Sequence, residues 1–296
     1  MMVFEFLDLK PRNPFLSLAI DEAACRFISR QPADGFCAGI RLWANPESVV
    51  LGRTCIPEHN LRLARSREDL MLSHRKARWT ESTVVCRRAS GGGTVLHGPG
   101  NLNYSLYLSL DRYPSLYPLS ASYEALLGVV QRSLQAQGIS CDRRGLSDLV
   151  LIGDDEGRVK KISGNAQFRK EHVLVFHGTL IARHDLIDRI SEILRHPPRE
   201  PEYRAGRNHY SFLGALPESF DLSAFYQCFA REFQTLLNVE HRMQLPLDCR
   251  RQIYSIARGL ARSTYADPDW IWQARVRRGR SSTPSDTPMA AANRPS

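Results

Sequence analysis

Three consecutive glycines, Gly91, Gly92 and Gly93, sit in the most constrained stretch of the chain, Arg87 to Tyr104. Glycine loses more conformational freedom on folding than any other residue and buries no side chain, so a triplet needs a purpose. Close approach of the main chain to a ligand is one. Two arginines, Arg87 and Arg88, stand just before the triplet and suit an anionic ligand such as a phosphate. Ser82 to Cys86 reads as a strand leading in. Leu102 to Leu110 reads as a strand leading out, after a turn at Pro99-Gly100. The glycines therefore belong to a loop or tight hairpin inside a sheet, not to a linker. Taken alone, the triplet also fits an ordinary glycine-rich turn. It is not a P-loop, because no Gly-Lys-Ser/Thr follows. It is a poor dinucleotide fingerprint, because no helix opens behind it.

A length of 296 residues suits one large domain or two small ones. Hydrophobic content of 43% and charged content of 24% provide for a sizeable core in a soluble globular protein. No window has the apolar length to span a bilayer, so no membrane partner is expected. The first eight residues carry early acids and no basic n-region, unlike a signal peptide. Seven cysteines are scattered and never spaced Cys-x-x-Cys, which argues against a disulfide framework or zinc site and for a reducing cytoplasm. The net charge of +9 raises the question of nucleic acid. Residues 274–296, however, hold five arginines against one aspartate, and lysine occurs only at Lys10, Lys76, Lys160, Lys161 and Lys170. That is an arginine bias of composition, and nucleic acid is not the expected partner. It also makes Lys160-Lys161 stand out.

Taken in order, residues 3–8 read as a strand and Phe15 to Ser29 as a helix, with Asp21 and Glu22 on a solvated face. Ile40 to Trp43 and Ser48 to Arg53 read as strands around a turn at Asn45-Pro46. The polar stretch 54–81 reads as a loop with some helix. Ser120 to Gln137 has helical spacing and ends at Gly138. Ser147 to Ile152 reads as a buried strand, 153–157 as a hairpin turn and Val159 to Gly164 as the antiparallel return. Gly164 to Gln167 reads as a further corner before the strand His172 to Ile181. A short helix follows over Asp185 to Arg195. Asp221 caps an amphipathic helix carrying Phe225, Phe229 and Phe233. A last helix covers Asp248 to Arg262, and the tail beyond Trp272 reads as disordered. The expected organisation is a catalytic unit over 1–245, a helical extension over 246–273 and a basic tail over 274–296.

Three strings then fit one family. Arg87-Arg88-x-Ser90-Gly-Gly-Gly-x-Val95-x-His97 with Asn101-x-Asn103-Tyr104 resembles the signature of the lipoate–protein ligase A family, within the biotin/lipoate ligase and octanoyltransferase superfamily. Lys161-Ile162-Ser163-Gly164-Asn165-Ala166 resembles its lysine motif, and His177-Gly178-Thr179-Leu180 the strand after it. Weaker echoes are Leu18 to Ala23, Val50 to Arg53, and Gly145-x-x-Asp148. The resemblance spans roughly residues 3–240 and implies an α/β (α+β) fold of mostly antiparallel sheets flanked by helices.

The implied reaction has two halves. Lipoate or octanoate attacks ATP, brought with Mg²⁺, to give an acyl-adenylate. A lysine on a lipoyl carrier domain, of a 2-oxoacid dehydrogenase or the glycine cleavage H protein, then takes the acyl group. The resemblance makes Lys161 the main cation on the phosphate and acyl carbonyl; a solvated hairpin lysine is the plain alternative. Arg88 and Ser90 are implied to bind the acyl or phosphate end, with Gly91, Gly92 and Gly93 letting the main chain close in. His97 and Asn103 are implied to line the site, although His97 also reads as a satisfied core histidine. Asp148 is implied to hold Mg²⁺ or the nucleotide. Ser163, Gly164, Asn165 and His177 complete the set, and the acyl slot is expected near Trp43 and Val50.

Two features depart from the family. Gly98 stands where an aspartate often follows the histidine. Only one or two helices remain after residue 240, where many ligases carry an accessory domain. The chain is therefore expected to use a separate accessory chain or a pre-activated donor. The alternative is an octanoyltransferase fed by acyl carrier protein through a Cys141 acyl-enzyme. A non-catalytic lipoyl-AMP binder is the third reading.

Overall fold

A computed structural model describes residues 1–10, 13–62, 83–153 and 159–276. Residues 154–157 of the expected turn, 63–81 of the polar stretch and 277–296 of the tail lie outside them.

The elements in chain order are β1 (Met2–Asp8), α1 (Pro14–Ile28), β2 (Phe36–Trp43), β3 (Ser48–Leu51), β4 (Val84–Arg87), β5 (Val95–His97), β6 (Asn101–Ser109) and α2 (Leu119–Gln135). They continue with β7 (Cys141–Arg144), β8 (Asp148–Leu151), β9 (Lys160–Lys170), β10 (Val173–Ile181), α3 (Asp185–Ile193), α4 (Leu222–Leu237), β11 (His241–Gln244), α5 (Leu247–Leu260) and α6 (Pro268–Gln273). Local signals place the helix ends. Asn13 accepts from the N–H groups of Phe15 and Leu16 ahead of α1, with Pro14 at its first position. Asp221 accepts from Ala224 at the start of α4, and Asn238 ends it in the left-handed conformation.

Eight strands form one sheet in the order β11-β1-β2-β6-β10-β9-β8-β7, and three form a second, β4-β3-β5. The β11-β1-β2 edge is parallel; from β2 to β7 every pair is antiparallel. Strand alternation gives the large sheet two different faces. Along β6, Leu102, Tyr104, Leu106 and Leu108 join Leu126 of α2 and Phe225 and Phe229 of α4 in one core. Tyr107 belongs to the other core, with α1, α5 and the three-stranded sheet.

The chain passes between sheets at 44–47, so β2 and β3 do not pair around Asn45-Pro46. The loop 88–94 crosses the end of β3, because β4 and β5 flank that strand on opposite sides. The corner expected at Gly164 to Gln167 is absent. β9 runs straight through it to Lys170, and the turn is made by Glu171 and His172, both left-handed at φ 51° and 60°. Their two-residue loop holds Lys170 opposite Val173. Asp21 and Glu22 are not on a solvated face either: they are 2% and 7% exposed. At the C-terminal end, Ile253, Tyr254 and Ala257 of α5 share the core of α1. The Trp270 indole donates to the Arg87 carbonyl at 3.0 Å, and Arg87 Nε donates to the Ile271 carbonyl at 2.8 Å, so α6 is fastened to the base of the glycine loop.

Candidate active site

Strand register lays two rows of side chains on one face of the large sheet. Gly164, Thr179, Asn103 and Trp43 lie side by side on β9, β10, β6 and β2; Ala166, His177, Ser105 and Arg41 form the next row. The rows are small at the β9 end, which leaves room there. The Lys161 side chain uses it: a Cβ on Gly164 would come 3.3 Å from the lysine Cε and Nζ. Lys161 Nζ pairs with Asp148 Oδ1 at 2.8 Å, and Asp148 Oδ2 accepts from the Tyr203 hydroxyl at 2.7 Å. On the opposite face, the Tyr104 hydroxyl donates to Asn165 Oδ1, and Asn165 Nδ2 donates to the Ser147 carbonyl at 2.8 Å. That links the lysine strand to the strand start that carries Asp148. Ser163 is buried within this group, 3.3 Å from the Tyr104 hydroxyl.

The glycine loop hangs on Arg88. Its Nη2 donates to the carbonyls of Gly91 and Gly93 at 2.6 and 2.7 Å, and its Nε donates to Ser90 Oγ at 2.9 Å. The carbonyl side of the loop is thereby engaged, while the N–H groups of Gly91 and Gly93 have no partner among the described residues. Gly92 adopts φ +83°, which a side chain strains, and a Cβ on Gly91 or Gly93 would enter open space. Burial lowers the Arg88 pKa to about 10, so it stays a cation at neutral pH. Arg87, paired with Arg88 in the sequence, does something else. Its guanidinium is spent on the carbonyls of Gly52, Arg53, Cys55 and Ile271.

A buried relay reaches the loop from α1. Asp21 Oδ2 accepts from His177 Nδ1 at 2.8 Å, and His177 Nε2 lies 2.6 Å from Ser90 Oγ. With Nδ1–H given to the carboxylate, Nε2 accepts the serine proton, and the serine oxygen is left to accept from Arg88. Asp21 Oδ1 accepts from Tyr107, Ser105 and Arg41. Burial pushes the Asp21 carboxyl up, but His177 and Arg41 outweigh it and hold it below the usual range. His97 lies 3.2 Å from the Asn45 amide and edge-on to the Trp43 ring at 5.5 Å. Burial first, then the charge of Arg88, lowers its pKa to about 3, so it is neutral.

These groups surround two adjoining cavities. The first, about 140 Å³, has Arg88, Lys161, His177 and Asn103 on its wall together with Leu18, Trp43 and Val50. The second, about 290 Å³, is ringed by Arg144, Arg195, Arg199 and Arg204. Gly93, Asp148, Lys161 and Gly164 line both, so the lysine stands at their junction. Of the residues singled out from the sequence, Gly92, His97 and Asn165 also line the first cavity and Ser163 the second. Ser90 and Gly91 shape the loop. Cys141 is apart: it is buried, its thiol faces the Gln131 carbonyl at 3.8 Å, and burial with Asp142 raises its pKa to about 11. Sequence reasoning gave no site role to Asp21, Arg41, Tyr104 or Arg204, although Tyr104 and Asp21 stand within strings that carry the family resemblance. For Asp21 a signal existed, since it lies three residues after Leu18 and four before Cys25, on the apolar stripe of α1.

The lipoyl protein ligase A/B catalytic domain family matches residues 13–234. Solved structures share the fold. A protein of a Thermoplasma acidophilum lipoylation system, described as a bi-partite lipoate protein ligase with its E2 lipoyl domain, superposes with a TM-score of 0.70 at 22% identity, over 94% of this chain and 100% of that one. A T. acidophilum protein with bound lipoic acid gives 0.64 at 22% identity, over 92% and 100%. A lipoate-protein ligase A bound with ATP gives 0.63 at 22% identity, over 92% and 99%. With three quarters of its length matched, the chain belongs to the lipoyl protein ligase A/B catalytic domain family and is an enzyme of the ligase or transferase type.

Proposed function

We propose that this chain joins lipoate or octanoate to ATP as an acyl-adenylate and passes the acyl group to a lysine of a lipoyl carrier domain. One observation carries the reading: the Lys161 ammonium stands where a part-apolar slot meets an arginine-ringed cavity, across from the glycine loop. The slot suits an acyl chain, and the second cavity suits a nucleotide and its phosphates. As the carboxylate attacks the α-phosphorus, the bond from that phosphorus to the bridging oxygen of the β-phosphate breaks, pyrophosphate leaves, and negative charge builds at the phosphoryl oxygens on the way. Fixed cations and unpartnered N–H groups stabilise that charge best where water is excluded. Lys161 is the point charge at the new bond, Arg88 holds the loop that carries the unpartnered amides, and Asp148 keeps the lysine in place. The carrier amine then forms the amide bond, the acyl–phosphate bond breaks, and AMP leaves.

Mg²⁺ enters this reaction on the nucleotide. The described residues contain no group of three His, Cys, Asp or Glu side chains fit to hold a metal. Both Asp148 oxygens already have partners, Lys161 and Tyr203. A single engaged carboxylate fits a cation that arrives with phosphates better than a resident one. The bi-partite description of the archaeal relative supports an accessory chain here too. No helix among the described residues is long and apolar enough to cross a membrane. The Cys141 route has no support in the geometry.

The test mixes pure protein, lipoate or octanoate, Mg-ATP and apo lipoyl domain, and reads the carrier's mass. Gain of the acyl mass with wild type and none with Lys161→Ala is the expected result. Transfer by Lys161→Ala at the wild-type rate rules the assignment out, and transfer only from octanoyl-carrier protein replaces the donor.

A further inference from the structure

Asn103 is 0% exposed and lines the slot, yet neither its Nδ2 nor its Oδ1 has a partner among the described residues. A buried amide is normally bonded, and one left unmade is costly. Register fixes where along the slot it lies. Gly164, beneath the Lys161 ammonium, is two strands from Asn103 and three from Trp43. At the usual strand spacing that places Asn103 about 10 Å and Trp43 about 14 Å from the head-group end. An eight-carbon acyl chain with its carboxyl end at Lys161 thus puts its distal half against Asn103, His97 and Trp43.

The two candidate chains differ in that half. Octanoate offers only methylenes and a methyl. Lipoate carries two ring sulfurs on its sixth and eighth carbons. Thioether-like sulfur is a weak acceptor that an amide N–H can address, and it makes favourable contacts with aromatic rings. The amide Nδ2 supplies such a donor. His97 supplies another: Nδ1 faces the Asn45 amide donor, which leaves the ring proton on Nε2. The Asn103 carbonyl fares alike with either chain, so the difference rests on the donors.

Resting on the ligase reading, we propose that Asn103 is a specificity-determining residue that makes the slot select a sulfur-bearing lipoyl chain over a saturated octanoyl chain. Lipoate offers the buried amide a partner; octanoate desolvates it without one.

The experiment measures kcat/KM for lipoate and for octanoate with carrier domain and Mg-ATP, in wild type and Asn103→Leu, a substitution of similar size. Wild type is expected to favour lipoate by about tenfold or more, the ratio that follows from leaving one polar group unsatisfied. Asn103→Leu is expected to erase the preference by losing lipoate efficiency and holding or gaining octanoate efficiency. A wild-type enzyme that uses both acids equally or favours octanoate overturns the proposal, as does an unchanged ratio in Asn103→Leu. Thermal shifts with each acid and no ATP give a second readout. Should neither acid be turned over, unaided ligation by this chain fails, and the shifts still decide this one: a larger shift with lipoate supports it and equal shifts overturn it. If Asn103→Leu does not fold, the wild-type ratio decides alone.

Discussion

The carboxylate of Asp21, in the second turn of α1, holds Nδ1 of His177 on β10 at 2.8 Å, and through that ring it sets which way the Ser90 hydroxyl points. A helix that contributes no atom to the catalytic lysine strand thereby controls the proton pattern of the glycine loop. Asp21→Asn is expected to lower kcat about a hundredfold by misplacing the loop, and to lower stability by about 3 kcal/mol because Arg41 loses one of its two buried carboxylate partners. Urea unfolding and steady-state kinetics check the two effects separately.

The same pair sets an acid limit. The folded-state pKa of Asp21 lies below its unfolded value, so its stabilisation is present above the ordinary carboxylate range and is lost as pH falls through the folded value. Wild type is expected to lose stability more steeply than Asp21→Asn on titration below about pH 4. Parallel curves would speak against a buried ionised Asp21.

His97 acts over a higher window. Its folded pKa of about 3 lies below the unfolded value of a free histidine. Below about pH 6.5 the unfolded chain binds a proton that the folded chain refuses, so stability falls by up to about 1.4 kcal/mol per pH unit down to the folded value. His97→Gln is expected to flatten that slope between pH 6 and 4, read by urea denaturation at each pH.

Gly164→Ala tests the bed on which Lys161 lies. The new methyl would stand 3.3 Å from Cε and Nζ, so the flexible side chain must give by a few tenths of an ångström. Folding is expected to survive, because the neighbour is the end of a lysine. Acyl transfer is expected to fall about tenfold, since the ammonium is displaced from the point where charge develops. An unaltered rate would mean that the lysine's resting place has no bearing on the reaction.

Cys141→Ser is expected to leave acyl transfer within about twofold of wild type while lowering stability by about 1–3 kcal/mol, because a hydroxyl replaces a buried thiol. Loss of transfer with the fold intact would restore the acyl-enzyme route.

Much of this protein is written locally. The glycine triplet, the strands around it, the amphipathic α4 and its Asp221 cap follow from periodicity and capping, which depend on near neighbours in sequence. The lysine motif could be picked out because lysine is rare in this chain. Three matters could not be read that way. The corner expected at Gly164 to Gln167 rested on small residues that instead make room for Lys161 within a continuous strand. The acids of α1 read as solvated because helix carboxylates usually are, and their burial depends on distant partners: Arg41, Tyr107 and His177 from three strands for Asp21, and Lys170 and Tyr265, with Arg26 of the same helix, for Glu22. Arg87 and Arg88 are neighbours of identical type, yet one braces α6 and the other holds the loop. Identity and local conformation come from the sequence. Which face of the sheet a residue shares, and with what partner, depends on strand register between segments more than a hundred residues apart, and that is settled only when the whole chain is packed.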